Sequence, residues 1–399
     1  METVSSVWHV LSAAVVFVLG AVFTVPMAKY FRVPTSRALF LYAWHTGFCL
    51  FYMDYSITNI SDAGGYYVSS FQYIGDFEPG TVFVIFLTSI FSVHLNMSYL
   101  GIFLVFNLFG SIGLLAFYGA LRLATVDKSR ALRVLSLLIL LMPSINFWTA
   151  SLGKDAISFM ATGLAIWAAL EFSKRTFLLG LAVIAMLLVR PHMAAIMVLA
   201  FVFSTIFSTR LSLVQRVVLG TMAFAVTAAM LPFALTYAGL GDASSSGDVM
   251  AYIEKRQGFN QAGGGGVDIS SMSPPMQLFT YLFRPLPFEA HSIFALASSL
   301  DNVVLLGLFV MGIRRVFTYR SPYPRENRVF LWTYAIAAWI ILALTTANLG
   351  ISVRQKWMFT PVLLYLFISA GRRVAASPSA QDYQMAEQIQ QPAFTHMRS

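Results

Sequence analysis

The sequence predicts an all-α, polytopic transmembrane helical bundle, and three observations carry that prediction. Of 399 residues, 58% are hydrophobic and only 11% are charged, against about 45–50% and about 25% in soluble domains. The mean hydropathy is +0.73. The apolar residues gather in runs close to the roughly 20 residues of helix that cross a hydrocarbon core, with Lys and Arg in short clusters between them. The single cysteine, Cys49, leaves no disulfide framework within the chain and no cysteine-based zinc site. The formal net charge of +9 is not a nucleic-acid footprint. No basic stripe with interleaved stacking aromatics lies outside the apolar runs, so no nucleic acid is expected as a partner.

Roughly eleven runs read as spans: Val7–Ala28, Ala38–Met53, Met97–Leu121, Val134–Ala150, Ala156–Phe172, Phe177–Val189, Met193–Ser208, Val217–Ala238, Phe294–Ile313, Val329–Ala347 and Met358–Ala370. The first is a retained helix rather than a cleavable signal peptide, because residues 1–6 carry Glu2 and no basic residue. Lys29, Arg32 and Arg37 follow it, and Arg122, Lys128, Arg130 and Arg133 follow the third run. The positive-inside rule makes both clusters cytoplasmic. The N-terminus is then outside and the C-terminus, with Arg372 and Arg373, inside. Lys174, Arg175, Arg210, Arg216, Arg314, Arg315, Arg320, Arg325 and Arg328 fall on the inner side by the same count.

The run Val82–His94 does not fit as a span, since a crossing there would turn every later basic loop outward. It is expected as a re-entrant or interfacial helix. The chain therefore divides into a transmembrane domain over residues 1–374, with outer loops at 54–80 and 239–293, and a polar, Gln/Ser-rich tail over 375–399 expected to be disordered and cytoplasmic. The longer loop carries four consecutive glycines at 263–266, which suits either a mobile gate or an inert linker. No internal repeat is visible, which argues against inverted-repeat transporters.

Under this topology the remaining polar motifs all fall at the outer face. Five basic residues there, Lys154, Arg190, Arg284, Arg354 and Lys356, would form a polyanion site if they turned inward. Arg190-Pro191-His192 breaks an apolar stretch, because proline cannot continue the helix ladder; it is either a tight turn with a snorkelling Arg or a pair of side chains offered to a cavity. In Gly153-Lys154-Asp155 the carboxylate suits a helix N-terminus, whereas the lysine opposes the dipole and suits a phosphate. Asp62 stands in Ser61-Asp62-Ala63-Gly64-Gly65-Tyr66-Tyr67. It is either turn chemistry or a general base for a sugar hydroxyl, with Tyr66 and Tyr67 as stacking faces. Asp54, Asp76 and Glu78 are runners-up in the same loop. The stretch Arg284-Pro285-Leu286-Pro287-Phe288-Glu289-Ala290-His291 pairs a phosphate-reading arginine with Glu289 and His291, which act as acid or base or simply hold Arg284. Arg354 and Lys356 flank the start of the last span beside Trp357, where interface anchoring is the plain alternative.

Together these motifs resemble the multi-span proteins of bacterial surface-polysaccharide machinery: Wzy-type and EpsG-type polymerases and related GT-C-like glycosyltransferases. The resemblance covers most of the span pattern through short motifs. It implies glycosyl transfer at the outer face of the bacterial inner membrane. The substrate would be a polyprenyl-diphosphate-linked saccharide, the partners membrane lipids and other polysaccharide-assembly proteins, and no cofactor is called for. Asp62 would act as base, with Glu289 and His192 as further catalytic groups. Lys154, Asp155, Arg190, Arg284, His291, Arg354, Lys356, Tyr66 and Tyr67 would bind substrate. No acidic partner stands close to Asp62 in sequence, so a divalent metal is unsupported. Two features depart from the resemblance: the outside N-terminus and the short tail in place of a large soluble C-terminal domain. Three other classes stay open, namely a transporter or flippase, a non-catalytic subunit of polysaccharide export, and a membrane acyltransferase using His192 or His291.

Overall fold

The computed structural model describes residues 4–75, 77–207, 265–318 and 327–370, with isolated positions between 214 and 258. Most of the expected span Val217–Ala238 and of the loop segment before Gly265, together with Asp76 and the tail, therefore lie outside the described residues. What is described is all-α. Helix α1 (Val7–Tyr30) starts where the Ser6 side chain accepts from His9 N, and α2 (Thr35–Thr58) starts after Pro34. Then come α3 (Asp62–Ser70), α4 (Thr81–Ser89, continued by a π-helical turn over Ile90–His94) and α5 (Tyr99–Thr125). Next are α6 (Arg130–Leu140), α7 (Pro143–Thr149), α8 (Lys154–Leu170), α9 (Phe172–Val189) and α10 (Pro191–Ile206). The last group is α11 (Pro274–Phe283), α12 (Ile293–Thr318), α13 (Arg328–Thr345), α14 (Leu349–Gln355) and, after a 3-10 turn over Lys356–Met358, α15 (Thr360–Ser369).

Among the described residues, six stretches of helix are long and apolar enough to cross a membrane: Val7–Tyr30, Tyr99–Thr125, Arg130–Thr149, Phe172–Val189, Ile293–Thr318 and Arg328–Thr345. This is the build of a multi-pass membrane protein. Much of the apolar surface of α1 faces outward, with Val10, Leu11, Val18, Leu19 and Val22 exposed, as a lipid-facing helix requires. The run expected over Val134–Ala150 is broken in the middle. Pro143 disfavours helical backbone at Met142, which adopts φ −56°, ψ 133°, and the chain restarts as α7.

Helix α5 is the centre of the bundle and packs against α1, α2, α6, α8 and α15. It meets α8 backbone to backbone. A Cβ on Gly163 would lie 2.5 Å from the Gly113 carbonyl oxygen, and one on Gly113 would lie 2.9 Å from Met160 Cα. Small residues at such crossings are how membrane helices gain dispersion contact without a hydrophobic drive.

Hydrogen bonds tie the helix ends into two levels. At one end, which we call the mouth, Trp8 Nε1 donates to the Leu95 carbonyl (2.8 Å) and Gly80 N donates to the Leu188 carbonyl (2.8 Å). Both flanks of α4 are thus held at the mouth. At the far end Asn327 N donates to the Ala169 carbonyl (2.8 Å), Asn327 Nδ2 to Ser204 Oγ (3.0 Å) and Arg328 to Ser369 Oγ (3.0 Å). Glu171 pairs there with Arg175 (2.5 Å) and Arg32 (4.0 Å).

The segment expected as an outer loop over 239–293 differs in its second half. Helix α11 buries Gln277, Thr280, Tyr281, Leu282 and Phe283 in the bundle, and Trp339 Nε1 donates to the Leu278 carbonyl (3.1 Å). The chain reverses at Arg284, where the Pro285 carbonyl accepts from Asn302 Nδ2 (2.9 Å). At about 1.5 Å per residue, Asn302 lies roughly 14 Å along α12 from Ile293, so α11 enters the bundle and its return arm climbs back. Ten helical residues are too few to signal a span, which is why the sequence hides this element.

Candidate functional site

Four of the expected residues form one chain of alternating charge at the mouth. Arg190 Nη2 donates to Asp155 Oδ1 at 2.7 Å, the other oxygen of Asp155 pairs with Arg354 Nε, and Arg354 Nη2 reaches Asp62 Oδ2 at 2.6 Å. Each member comes from a different place. Asp62 opens α3 after the Ser61 cap, Asp155 is in the first turn of α8, Arg190 is the joint between α9 and α10, and Arg354 ends α14.

Local sequence explains each position. Gly153 has φ +154°, a conformation open to glycine, and a Cβ there would stand 3.3 Å from the Tyr66 ring. Gly153 therefore lets Tyr66 close over the start of α8. Pro191 takes the first position of α10, which leaves Arg190 non-helical at φ −146°, ψ 76° and turns its side chain off the helix path. Asn348 caps α14 by accepting from Ile351 N (3.2 Å), and the strand-like segment at Gly266 pairs with it.

Burial is graded along the chain. Arg190 and Asp155 are 6% and 7% exposed, whereas the Asp62 side chain is 54% exposed. Asp62 lies outside the apolar spans. Burial works to raise its pKa, but Arg354, both as a charge and as a hydrogen-bond donor, with Lys154 and Arg190 behind it, outweighs this and holds the carboxyl below the usual range. Lys154 Nζ donates to Thr81 Oγ1 (2.8 Å), tying α8 to α4. Two guanidiniums thus meet two carboxylates, and Lys154 acts on Asp62 from close by.

Beside Asp62 opens a cavity of about 530 Å³. Asp62, Arg354 and Tyr66 line it together with Tyr52, Tyr55 and Trp148, three aromatics that the sequence alone did not single out. Among the described residues no three His, Cys, Asp or Glu side chains come together as a metal-ligating group.

The other expected residues stand apart from this cavity's wall. Arg284 is closed on Glu289 by Nε contacts of 2.8 and 3.1 Å and a shorter one from Nη2, and Glu289 Oε2 also accepts from Leu286 N (2.8 Å). Glu289 holds Arg284 rather than facing the cavity. Burial would raise Glu289, but Arg284 and the Leu286 N–H outweigh it and lower its pKa. His291 is exposed just before α12, and His192 is half-buried at the start of α10. Tyr67 packs on Tyr99 (4.9 Å) and Phe71 (5.0 Å). Lys356 is fully buried against Asn302 Oδ1, below the mouth rather than at the membrane surface.

Sequence reasoning missed the polar groups inside the apolar runs. Asp301 accepts from Ser144 N (2.7 Å), and its neighbour Asn302 joins Lys356 to the Pro285 carbonyl. His45 meets Asn107 Oδ1 (2.6 Å) and Thr149 Oγ1 (3.1 Å), while Asn107 Nδ2 donates to Thr46 Oγ1 (2.8 Å). Ionisable and amide residues within a span were the available signal. No known family model, curated protein or solved structure matches this chain.

Proposed function

We propose that the chain is a membrane glycosyltransferase or polysaccharide polymerase that uses polyprenyl-diphosphate-linked sugars, with the mouth at the outer face of a bacterial cytoplasmic membrane. In this reading the N-terminus is outside, the C-terminus inside, and about eleven segments cross. Helix α4 is re-entrant or interfacial in this reading, which the bonding of both its flanks at the mouth supports. The outward orientation rests on the positive-inside count, and the far-end cluster of Arg32, Glu171 and Arg175 fits the cytoplasmic side.

One observation carries the reading. An ionised, half-exposed carboxylate, Asp62, faces an aromatic-walled cavity at the edge of a cluster that holds Arg354, Arg190 and Lys154. The chemistry follows. The acceptor hydroxyl gives its proton to Asp62 while its oxygen bonds to the anomeric carbon of the donor, and the bond from that carbon to the diphosphate oxygen breaks with inversion. Charge then grows on the diphosphate. Arg354, Arg190 and Lys154 favour that charge more in the transition state than in the ground state. Arg354 links the two roles, because any interaction it gives the diphosphate it withdraws from Asp62, which becomes a better base.

The test is elongation of a polyprenyl-diphosphate oligosaccharide by purified protein in lipid nanodiscs. Transfer that D62N and R354A weaken strongly without removing it is the expected result, and full activity in both variants sinks the assignment.

A second reading, a transporter for the same lipid-linked class, draws on Asp301, Lys356, His45 and Asn107 deeper in the bundle. Those groups are engaged in fixed hydrogen bonds between helices, which favours a structural role for them. Uptake of labelled lipid-linked saccharide into the protected leaflet of sealed vesicles, without chain growth, would decide for it.

A further inference from the structure

We infer that the cavity beside Asp62 is a saccharide subsite in which Tyr55 and Trp148 are the stacking faces. This deepens the transferase reading and rests on it for which molecule arrives, although binding as such needs no turnover.

The cavity, about 530 Å³, falls within the range of about 300–1,000 Å³ typical of small-ligand sites. Its aromatic wall is built, not incidental. Tyr55 and Trp148 are each half-buried, one side packed and the other lining the cavity. Tyr55 rests on Phe294 (4.7 Å) and Phe147 (5.8 Å), and Trp148 on Phe147 (5.1 Å) and Tyr52 (5.7 Å). Rings fixed by packing lose little entropy when a ligand stacks on them. The polar part of the wall is Ser61, Ser69, Thr81, Asn348, Asp62 and Arg354, which offers hydroxyl, amide, carboxylate and guanidinium groups.

That pairing of an apolar plane with a hydrogen-bonding rim matches a pyranose, which has a C–H face and a hydroxyl edge. Competing ligands fit less well. A bare phosphate gains nothing from four aromatic side chains, and the Arg354 it would meet is already paired with Asp62. A quaternary ammonium, which aromatic walls also attract, is opposed by the Arg354 guanidinium in the cavity wall. A nucleobase would stack as well, and it becomes an outcome of the test.

The experiment uses the full-length protein in detergent micelles on an array of soluble, lipid-free saccharides, with choline and nucleosides as controls. Retention on a subset of saccharides is expected. W148A and Y55A should each weaken it about tenfold, the scale of one lost stacking contact, while W148F keeps most of it and shows that the fold is intact. No retained saccharide, retention unchanged in both alanine variants, or preference for choline or a nucleoside overturns the subsite. The two readings fail separately. Saccharide retention without chain growth leaves the subsite standing and removes the transferase. Chain growth with an unchanged acceptor KM in W148A and Y55A does the reverse.

Discussion

Two arginine–carboxylate arrangements near the mouth look alike in sequence and behave differently in space. Arg284 and Glu289 are five residues apart and close on each other within one turn, so the pair serves its own loop. Arg190, Asp155, Arg354 and Asp62 join four separate parts of the fold, and each charge is answered by a neighbour from elsewhere in the chain. A local pair stiffens a segment. A distributed one sets where segments sit, and Asp62 is its most exposed end. The contrast also revises the notion of a bare polyanion site, because the guanidiniums at the mouth arrive already matched to carboxylates.

The sharpest way to break the comparison is D155A. It strips the shared carboxylate from two guanidiniums, one of them 6% exposed, and an uncompensated buried charge of this kind costs about 3–5 kcal/mol. Thermal unfolding of the detergent-solubilised protein reads that loss, and transfer activity falls with it. A loss under about 1 kcal/mol would mean that the chain of charges is not what positions these elements. Next comes D62N. It is expected to lower transfer by about 10²–10⁴-fold, the usual worth of a general base, while unfolding shifts by no more than about 1 kcal/mol because the side chain is half in solvent. A smaller effect belongs to R284A, which is expected to cost about 1 kcal/mol of stability, since its partner pair is local and part-exposed. It should also leave the acceptor KM near its starting value. A KM change as large as that of R354A would erase the distinction between the two arrangements.

How far all this could be read from sequence depends on the distance between partners. The spans at Val7–Tyr30 and Tyr99–Thr125, and the joint at Arg190-Pro191, were legible because hydropathy runs and proline act locally. That Glu289 holds Arg284 was one of the readings open at the start, since the two share a turn. That Asp155 bridges Arg190 and Arg354 was not legible, because its place in the first turn of α8 already explains it as a helix-start residue. The tip of α11 was lost for a related reason: ten residues with two prolines look like loop until Asn302 is seen to hold their end. Tyr55 and Trp148 were hidden among the many aromatics that pack apolar runs, and only the shape of the cavity sets them apart.

The folded-state pKa of Asp62 lies below its unfolded value of about 3.9. Its contribution to stability is therefore complete above that value and drains away as pH falls through the lower folded one. The acid limb of transfer should accordingly lie below the ordinary carboxylate range. In R354Q, with the guanidinium gone and burial left as the main influence, that limb moves to higher pH. An acid limb at the same place in both proteins would show that Arg354 does not govern Asp62.

The spread of the mouth along the chain has a consequence for how the molecule comes into being. Synthesis runs from the N-terminus, so Asp62, Asp155 and Arg190 enter the bilayer early, and Arg354 follows only as the final helices emerge. Until then Asp62 has no guanidinium beside it and Asp155 has one in place of two. The chain of charges is thus completed late, and a nascent chain released before α14 is made would carry most of the helices and lack the guanidinium that joins Asp62 to Asp155.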